Sequence, residues 1–509
     1  MFSPNYLHLC SICLNTGAVQ QPIRAIISHF SFDFSYAAIE AVLKDRPFEY
    51  CGIISTPKVP KYYSALPEEN QDWFNSSNIR GCNYGDVVWD TLAPLDEELI
   101  EQMRPCEALF METVCRQEWK YEITYMQRKH WYLHQLRFWN DYIKRHSINL
   151  YLAAWIPHEV PDVVIYHLCK HYNIPVLYFH MSTEQDTGFI ESDIEESAVQ
   201  IQKRFEELSQ EYASESDPEN IPLKRFAKRY SSLTARQAAK PILESLKHKT
   251  YLGKVSTMLI KKPLEFARCV ALYCTPYGVR RAQRTWKRRR VMRTRNAYYN
   301  AHAISPDLTA PYVYMALHFQ PEASTTPMGG VFTNQVLMAQ MLDAQLPDDV
   351  LIYVKEHPKE SAWLSRSIED YKTLVAIPRV RLVARGVDTF ALREHCSAVA
   401  TATGSVGFEG LFRSKPVFMF GHRFYQYANG VYRIRTTEDL IQAVEEVFMQ
   451  HKAPSLKDAR LYLKAMEDTC VHGTVNPWDR KVSQLSDQEH AQATSAAILE
   501  KLAEIEATA

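Results

Sequence analysis

The chain has 509 residues, 46% hydrophobic and 23% charged, which suits a globular protein of two or three domains whose cores need neither disulfides nor structural metals. Its 58 lysines and arginines balance 59 aspartates and glutamates, so no global field directs it to nucleic acid. The 11 cysteines are scattered, and the lone C-x-x-C of Cys10 and Cys13 has no second pair at zinc-ligand spacing. Reduced, buried thiols are expected rather than metal or redox chemistry.

In chain order, residues 24–32 and 49–55 are weak strand candidates, and 96–147 reads as mainly helical. A βαβ unit follows: strand Ile148–Ala154, helix Val160–Tyr172 and strand Ile174–His180, with Asn173 as the stop. Residues 191–305 carry helical periodicity and few strand signals, an acidic stretch (Asp193–Asp217) giving way to a basic one. From Pro311 strands and helices alternate with short links. Strands are predicted at Tyr312–Leu317, Val350–Val354, Val380–Val383, Ala398–Ala402 and Pro416–Phe420, with helices at Thr333–Leu346, Ser361–Tyr371, Asp388–His395, Ser405–Phe412 and Glu438–Met449. That alternation predicts a parallel α/β sheet. The implied domains are 20–190 (α/β), 191–305 (helical, partly basic), 306–455 (α/β) and a helical tail, 456–509.

Ligands of parallel α/β sheets bind at the carboxyl ends of strands, and three loops in the C-terminal half occupy that position. In the first, from His318 to Thr325, Gln320 can pair with a sugar or base edge and Glu322 can accept from hydroxyls. The alternative is an ordinary polar loop turned by Pro321. In the second, Lys355-Glu356-His357-Pro358, the proline holds His357 extended off the strand end, so His357 and Lys355 are candidates to neutralise a phosphate or protonate a leaving group. A lone strand-end histidine is more often structural. In the third, Thr401–Glu409, a strand turns through Gly404 into a helix start bearing Thr403 and Ser405, which suits an anion; Glu409 lies one turn in. Alone it reads as a capped helix with packing glycines, but three such loops on one sheet edge strengthen one another.

The string YVYMALHFQPEASTTPMGG, then LIYVKEHP and ATATGSVGFEGLFRSKPVFMFG, resembles the capsule polysaccharide biosynthesis proteins, which include capsular Kdo transferases. The resemblance covers about residues 310–435; Pro157-His158-Glu159 fits the N-terminal part less specifically. It implies a GT-B-like fold: two Rossmann-like domains with parallel sheets facing a cleft, plus a helical middle segment. It further implies a glycosyltransferase whose C-terminal domain holds a nucleotide-sugar donor, here CMP-linked. Phosphate-binding roles then fall on His357-Pro358 and on Thr403 and Ser405, with Gln320-Pro321 as the QP pair. No D-x-D stands in a metal-binding context, so metal-independent transfer without a cofactor is expected.

The base that activates the acceptor, a polysaccharide or lipid-linked glycan, should come from the N-terminal domain. Asp33 and Glu159 are the leading carboxylates, with Asp162, Glu184 and Asp186 behind; each is more often a surface or capping residue. Arg280–Arg295 holds nine arginines and lysines and no acid, which suits an anionic membrane surface; a solvated helix is the plain alternative and nucleic acid ranks last. No signal peptide and no apolar run of about 18 residues occurs, so the expected location is cytoplasmic, at the inner membrane face. Alternatives are a CDP-glycerol-type polyol-phosphate transferase, a sugar-nucleotide epimerase and a catalytically silent GT-B-like scaffold.

Overall fold

A computed structural model describes residues 22–118, 123–182, 184–235, 271, 275–320, 322–360 and 366–508. Two six-stranded sheets form the frame. The first contains β1 (Arg24–Ser28), β2 (Tyr50–Ser55), β3 (Gln71–Asn75), β4 (Leu150–Ala153), β5 (Val176–Met181) and β6 (Gly188–Glu191), in the order β3-β2-β1-β4-β5-β6. Only β6 runs antiparallel. The second contains β7 (Tyr312–Ala316), β8 (Leu351–Lys355), β9 (Val380–Leu382), β10 (Ala398–Thr401), β11 (Val417–Met419) and β12 (Val431–Arg433), all parallel, in the order β12-β11-β10-β7-β8-β9. These are the two Rossmann-like sheets of the GT-B-like architecture expected. The central strands are apolar on both faces: Ile26, Ile27, Leu152, Val313 and Val354 are all fully or almost fully buried, as helices packed on both sides of a parallel sheet require.

Both sheets are doubly wound. In the first, the chain runs outward through β1, β2 and β3, then returns to start β4 on the other side of β1. In the second, β7, β8 and β9 run one way and β10, β11 and β12 the other. The connections diverge between β1 and β4, and again between β7 and β10. Diverging connections leave a crevice at the carboxyl ends of those strands, which is where such sheets take ligands.

The expected domain boundaries run differently in space. The helix Asp487–Thr508 leaves the C-terminal side and packs on the helix Asp33–Asp45 of the first domain, where Ile498 and Leu502 join the core formed by Ile27, Leu43 and Leu152. Arg46 pairs with Glu506 at that contact. The helix Val199–Glu211 packs on Leu456–Thr469, so the segment after β6 builds against the second domain; Glu467 accepts the backbone N–H groups of Lys224 and Phe226. The expected helix at Ser361–Tyr371 is found at Ile368–Ala376, its first five positions falling outside the described residues. The Cys10–Cys13 pair also lies outside them.

The basic helix spans Pro276–His302, capped by the Thr275 side chain with proline at its first position. It has two parts. Arg295 and Tyr299 are fully buried, Arg295 pairing with Glu360 and Tyr299 donating to the Val383 carbonyl at 2.6 Å. From Val279 to Lys287 every residue is exposed.

Candidate functional site

At the second sheet's crevice, the residue that organises the loops is His318, two positions beyond β7. Its Nε2 lies 3.2 Å from the backbone nitrogens of both Ala402 and Thr403 and 2.9 Å from Thr401 Oγ1. Backbone N–H groups only donate, so Nε2 is the unprotonated acceptor and the ring proton sits on Nδ1. Thr401 Oγ1 in turn accepts from the Gly404 N–H at 3.0 Å. A Cβ on Gly404 would stand 2.8 Å from Thr401 Oγ1 and 3.1 Å from the His318 ring, so only glycine lets the loop close this tightly. Burial, with Arg366, His357 and Arg423 nearby, pushes His318 down to about 3, and it is neutral at pH 7.

This changes the expected role of the third loop. The Ala402 and Thr403 N–H groups are spent on His318, and the Thr403 hydroxyl donates to the Ser324 carbonyl, tying the first loop to the third. Ser405 is exposed at the start of the helix Ser405–Leu411, so its hydroxyl faces outward. Glu409 turns away from the crevice: its carboxylate pairs with Arg393, whose side chain is 7% exposed and needs the counter-charge.

Lys355 departs from expectation for a similar reason. It ends β8 buried, and its ammonium satisfies itself on the Ala384 and Arg385 carbonyls, each at 3.0 Å, while burial lowers it to about 8. His357 is half-buried off the same strand end, its Nδ1 accepting the Lys359 N–H at 3.2 Å, which leaves Nε2–H as the outward donor. Burial, with Lys359 and Arg366 close by, lowers His357 to about 4; it therefore offers a hydrogen bond rather than the fixed positive charge or ready acid expected of it. Pro358 follows it as expected. Gln320 donates to the Thr333 carbonyl and lies 3.5 Å from an Arg366 nitrogen; Glu322 is exposed; Pro321 lies outside the described residues.

The fixed charges come from two residues the sequence reading passed over. Arg366 is 3% exposed and donates to the His318 carbonyl at 3.3 Å, and its Nη1 is buried with no partner among the described residues. Arg423, on the loop after β11, lies over the Phe424 ring at 5.4 Å, and among the described residues its Nη1 has only the Met328 sulfur, at 3.6 Å. Neither arginine makes an ion pair among the described residues; burial lowers Arg423 from its ordinary value, and the exposed Glu322 is near enough to act on it without pairing. A buried guanidinium such as that of Arg366, and to a lesser degree the half-buried one of Arg423, is costly without a counter-ion unless an anion completes it. Arg423 had a usable signal: it follows a predicted strand through Gly421 and His422, as the other loop residues follow theirs. Among the described residues no three His, Cys, Asp or Glu side chains gather as a metal site requires.

In the first domain, the two leading carboxylates do not stand free. Asp33 is exposed in the first turn of its helix, where a negative charge complements the helix dipole. Glu159 pairs with Arg80 at 3.1 Å. Beside it, Arg116 donates to the His158 carbonyl with one nitrogen and to the Thr326 carbonyl of the second domain with the other, so the two crevices share this guanidinium. Burial lowers Arg116 to about 10.

Residues 324–463 match the family described as capsule polysaccharide biosynthesis protein. That segment belongs to this family. It takes in the second and third loops, Arg366 and Arg423, and it agrees with the resemblance carried by those loops. No protein of curated function matches the chain. Solved structures similar to it include a UDP-GlcNAc 2-epimerase of Methanocaldococcus jannaschii (11% identity, 86% of this chain and 98% of that one, TM-score 0.23). A β-Kdo 2,7 transferase, KpsC, of Thermosulfurimonas dismutans is another (11%, 70% and 88%, TM-score 0.29). The spinosyn rhamnosyltransferase SpnG is a third (10%, 88% and 96%, TM-score 0.22). At such scores the architecture rests on the two sheets themselves.

Proposed function

We propose that this protein is a glycosyltransferase of capsule or surface polysaccharide assembly that takes a sugar from a nucleotide-activated, CMP-linked donor. The observation that carries the reading is the pair of arginines without carboxylate partners, Arg366 and Arg423, beside His318 in the family-matched domain. A departing phosphate supplies the negative charge they need, and His357 Nε2–H and the Ser405 hydroxyl add donors. Cations and oriented N–H groups stabilise the leaving group, so the transfer is proposed to be metal-independent and cofactor-free. The acceptor, a polysaccharide or lipid-linked glycan, enters from the first domain's side.

The exposed part of the basic helix supports a place at the inner face of the cytoplasmic membrane. Arg280, Arg281, Arg284, Lys287, Arg289, Arg290 and Arg293 surround Trp286, which is 65% exposed, and cations with an interfacial tryptophan suit anionic headgroups. Among the described residues no helix is long and apolar enough to cross a membrane. Cosedimentation with anionic but not neutral vesicles, lost in high salt, is the expected result.

A thermal-shift series with CMP, CDP, UDP and GDP tests the donor. Selective stabilisation by CMP, lost in R423A, is expected. A response to CDP with glycerol phosphate in the product points to the polyol-phosphate transferase, and no response to any nucleotide points to a scaffold.

A further inference from the structure

The first sheet's crevice holds a buried acid–histidine pair that the donor site does not use. β1 ends at Ser28, and the next residue, His29, has φ of 69°, a left-handed backbone that costs a non-glycine residue energy. Two hydrogen bonds of 2.7 Å hold it there, His29 N–H to the Ile54 carbonyl and Ser31 N–H to the His29 carbonyl. The turn sends the imidazole across the β1–β4 gap to Asp162 on the helix Val160–His171. Nε2 lies 3.0 and 2.9 Å from the two carboxylate oxygens, and Ser28 Oγ donates to one of them at 3.1 Å. Trp155, just beyond β4, stacks on the ring with centroids 4.7 Å apart and planes 17° from parallel. His29 is 1% exposed and Asp162 is fully buried.

A buried carboxylate held by a histidine contributes little as a structural element, because apolar side chains of similar volume fill the same space at least as stably. Here it comes with a strained backbone, at the topological position where doubly wound sheets take ligands. The surroundings are also unfinished. Trp155 Nε1 and Thr56 Oγ1, at the ends of β4 and β2, are buried without hydrogen-bond partners among the described residues. A polyhydroxylated ligand would supply those partners. With Nε2–H given to Asp162, Nδ1 carries the ring's basic lone pair, and it makes no hydrogen bond among the described residues. Arg116 joins the rim of this crevice to the second domain's first loop.

We propose that His29, oriented by Asp162, is the base that deprotonates the acceptor hydroxyl. This rests on the glycosyl-transfer reading above. The acceptor O–H donates to Nδ1. As its oxygen forms a bond to the anomeric carbon, the proton passes to Nδ1, and the anomeric carbon–phosphate oxygen bond breaks with its electron pair leaving on the nucleoside phosphate. The imidazolium is then paired with the Asp162 carboxylate until the proton is lost to solvent. His29 is the catalytic residue and Asp162 a positioning residue. Burial pushes the Asp162 carboxyl up, but His29 at hydrogen-bond distance, with His158 and Ser28, holds it below its ordinary range, so it stays anionic to receive that charge. Asp162 faces the ring, and Tyr151 and His158 lie close enough to Asp162 to act on its charge.

The test uses the full chain with CMP-, UDP- and GDP-sugars and a panel of fluorescent oligosaccharide acceptors. H29Q keeps a donor toward Asp162 but has no basic nitrogen; its kcat should fall about 10²- to 10⁴-fold with donor KM and the nucleotide thermal shift unchanged. The acidic limb of the wild-type pH–rate profile should vanish in H29Q. In D162N it should move to lower pH, because an imidazole without its carboxylate is less basic, a response that a purely structural role for Asp162 does not produce. D162N also serves as the second probe if H29Q does not fold. Wild-type kcat and pH limb in a folded H29Q, or an unmoved limb in D162N, overturn the proposal while leaving glycosyl transfer standing. Absence of transfer by the unaltered protein from every donor overturns the function reading and the proposal with it.

Discussion

Each domain places a histidine just past its first strand, at the point where the sheet's connections diverge, and the two histidines are set to opposite chemistry. His29 gives one ring nitrogen to a carboxylate and, among the described residues, keeps the other open. His318 faces three donors, with Arg366 and Arg423 near it, and every one of those neighbours penalises a proton. The topology supplies equivalent slots, and the loops that arrive there decide what the slot does. A crevice lined by donors and cations suits a phosphate; one with a carboxylate-backed imidazole suits a hydroxyl that must lose its proton.

The sharpest way to break this contrast in the second domain is H318A. It strands the Ala402 and Thr403 N–H groups and leaves a cavity, so urea unfolding should show a loss of about 2–4 kcal/mol. R423A removes one charged partner of the proposed phosphate. Nucleotide affinity, read by calorimetry, should fall about 10- to 100-fold, the equivalent of about 1.5–3 kcal/mol for a charged hydrogen bond, with stability unchanged or raised.

Acid should act directly on the His318 setting. The folded-state value of His318 is depressed to about 3 from an ordinary 6.5, so the unfolded chain binds the extra proton between these limits and stability falls as pH drops through that window. One such histidine contributes up to about 1.4 kcal/mol per pH unit. H318Q, whose amide oxygen can accept the same N–H groups, should flatten the melting temperature between pH 6.5 and 4. His422, which burial and Arg435 lower to about 4, leaves a residual slope. The smallest effect concerns Asp33: D33N should leave turnover within about twofold, since that carboxylate is an exposed helix-end charge. A large loss there would move the base away from His29.

Much of the second domain was legible in the sequence because its strands are short apolar runs ended by glycine, proline or polar loops, and each strand end names its own loop. Gly404 and Pro358 marked two of the three loops for that reason. The first domain was harder. β3, Gln71-Asp72-Trp73-Phe74-Asn75, is an outer parallel strand with mostly half-buried residues and no apolar run to announce it. The site partners were harder still. Arg366 looks like any surface arginine in sequence, and its place depends on Arg295 and Glu360, which hold its backbone carbonyl and N–H. His29 and Asp162 are 133 residues apart, and no periodicity connects a strand end to a helix start across a sheet. What sequence spacing conveys is local geometry; pairing across the crevice is a property of the winding.

The return of the last helix to the first domain has a consequence for biogenesis. Ile498 and Leu502, 0% and 4% exposed, fill the same core as Ile27 and Leu43. During synthesis the first domain therefore waits, with an apolar face open, while the whole second domain emerges from the ribosome. Its closure is a late step, and nascent chains stalled before residue 487 should be bound by chaperones through that face.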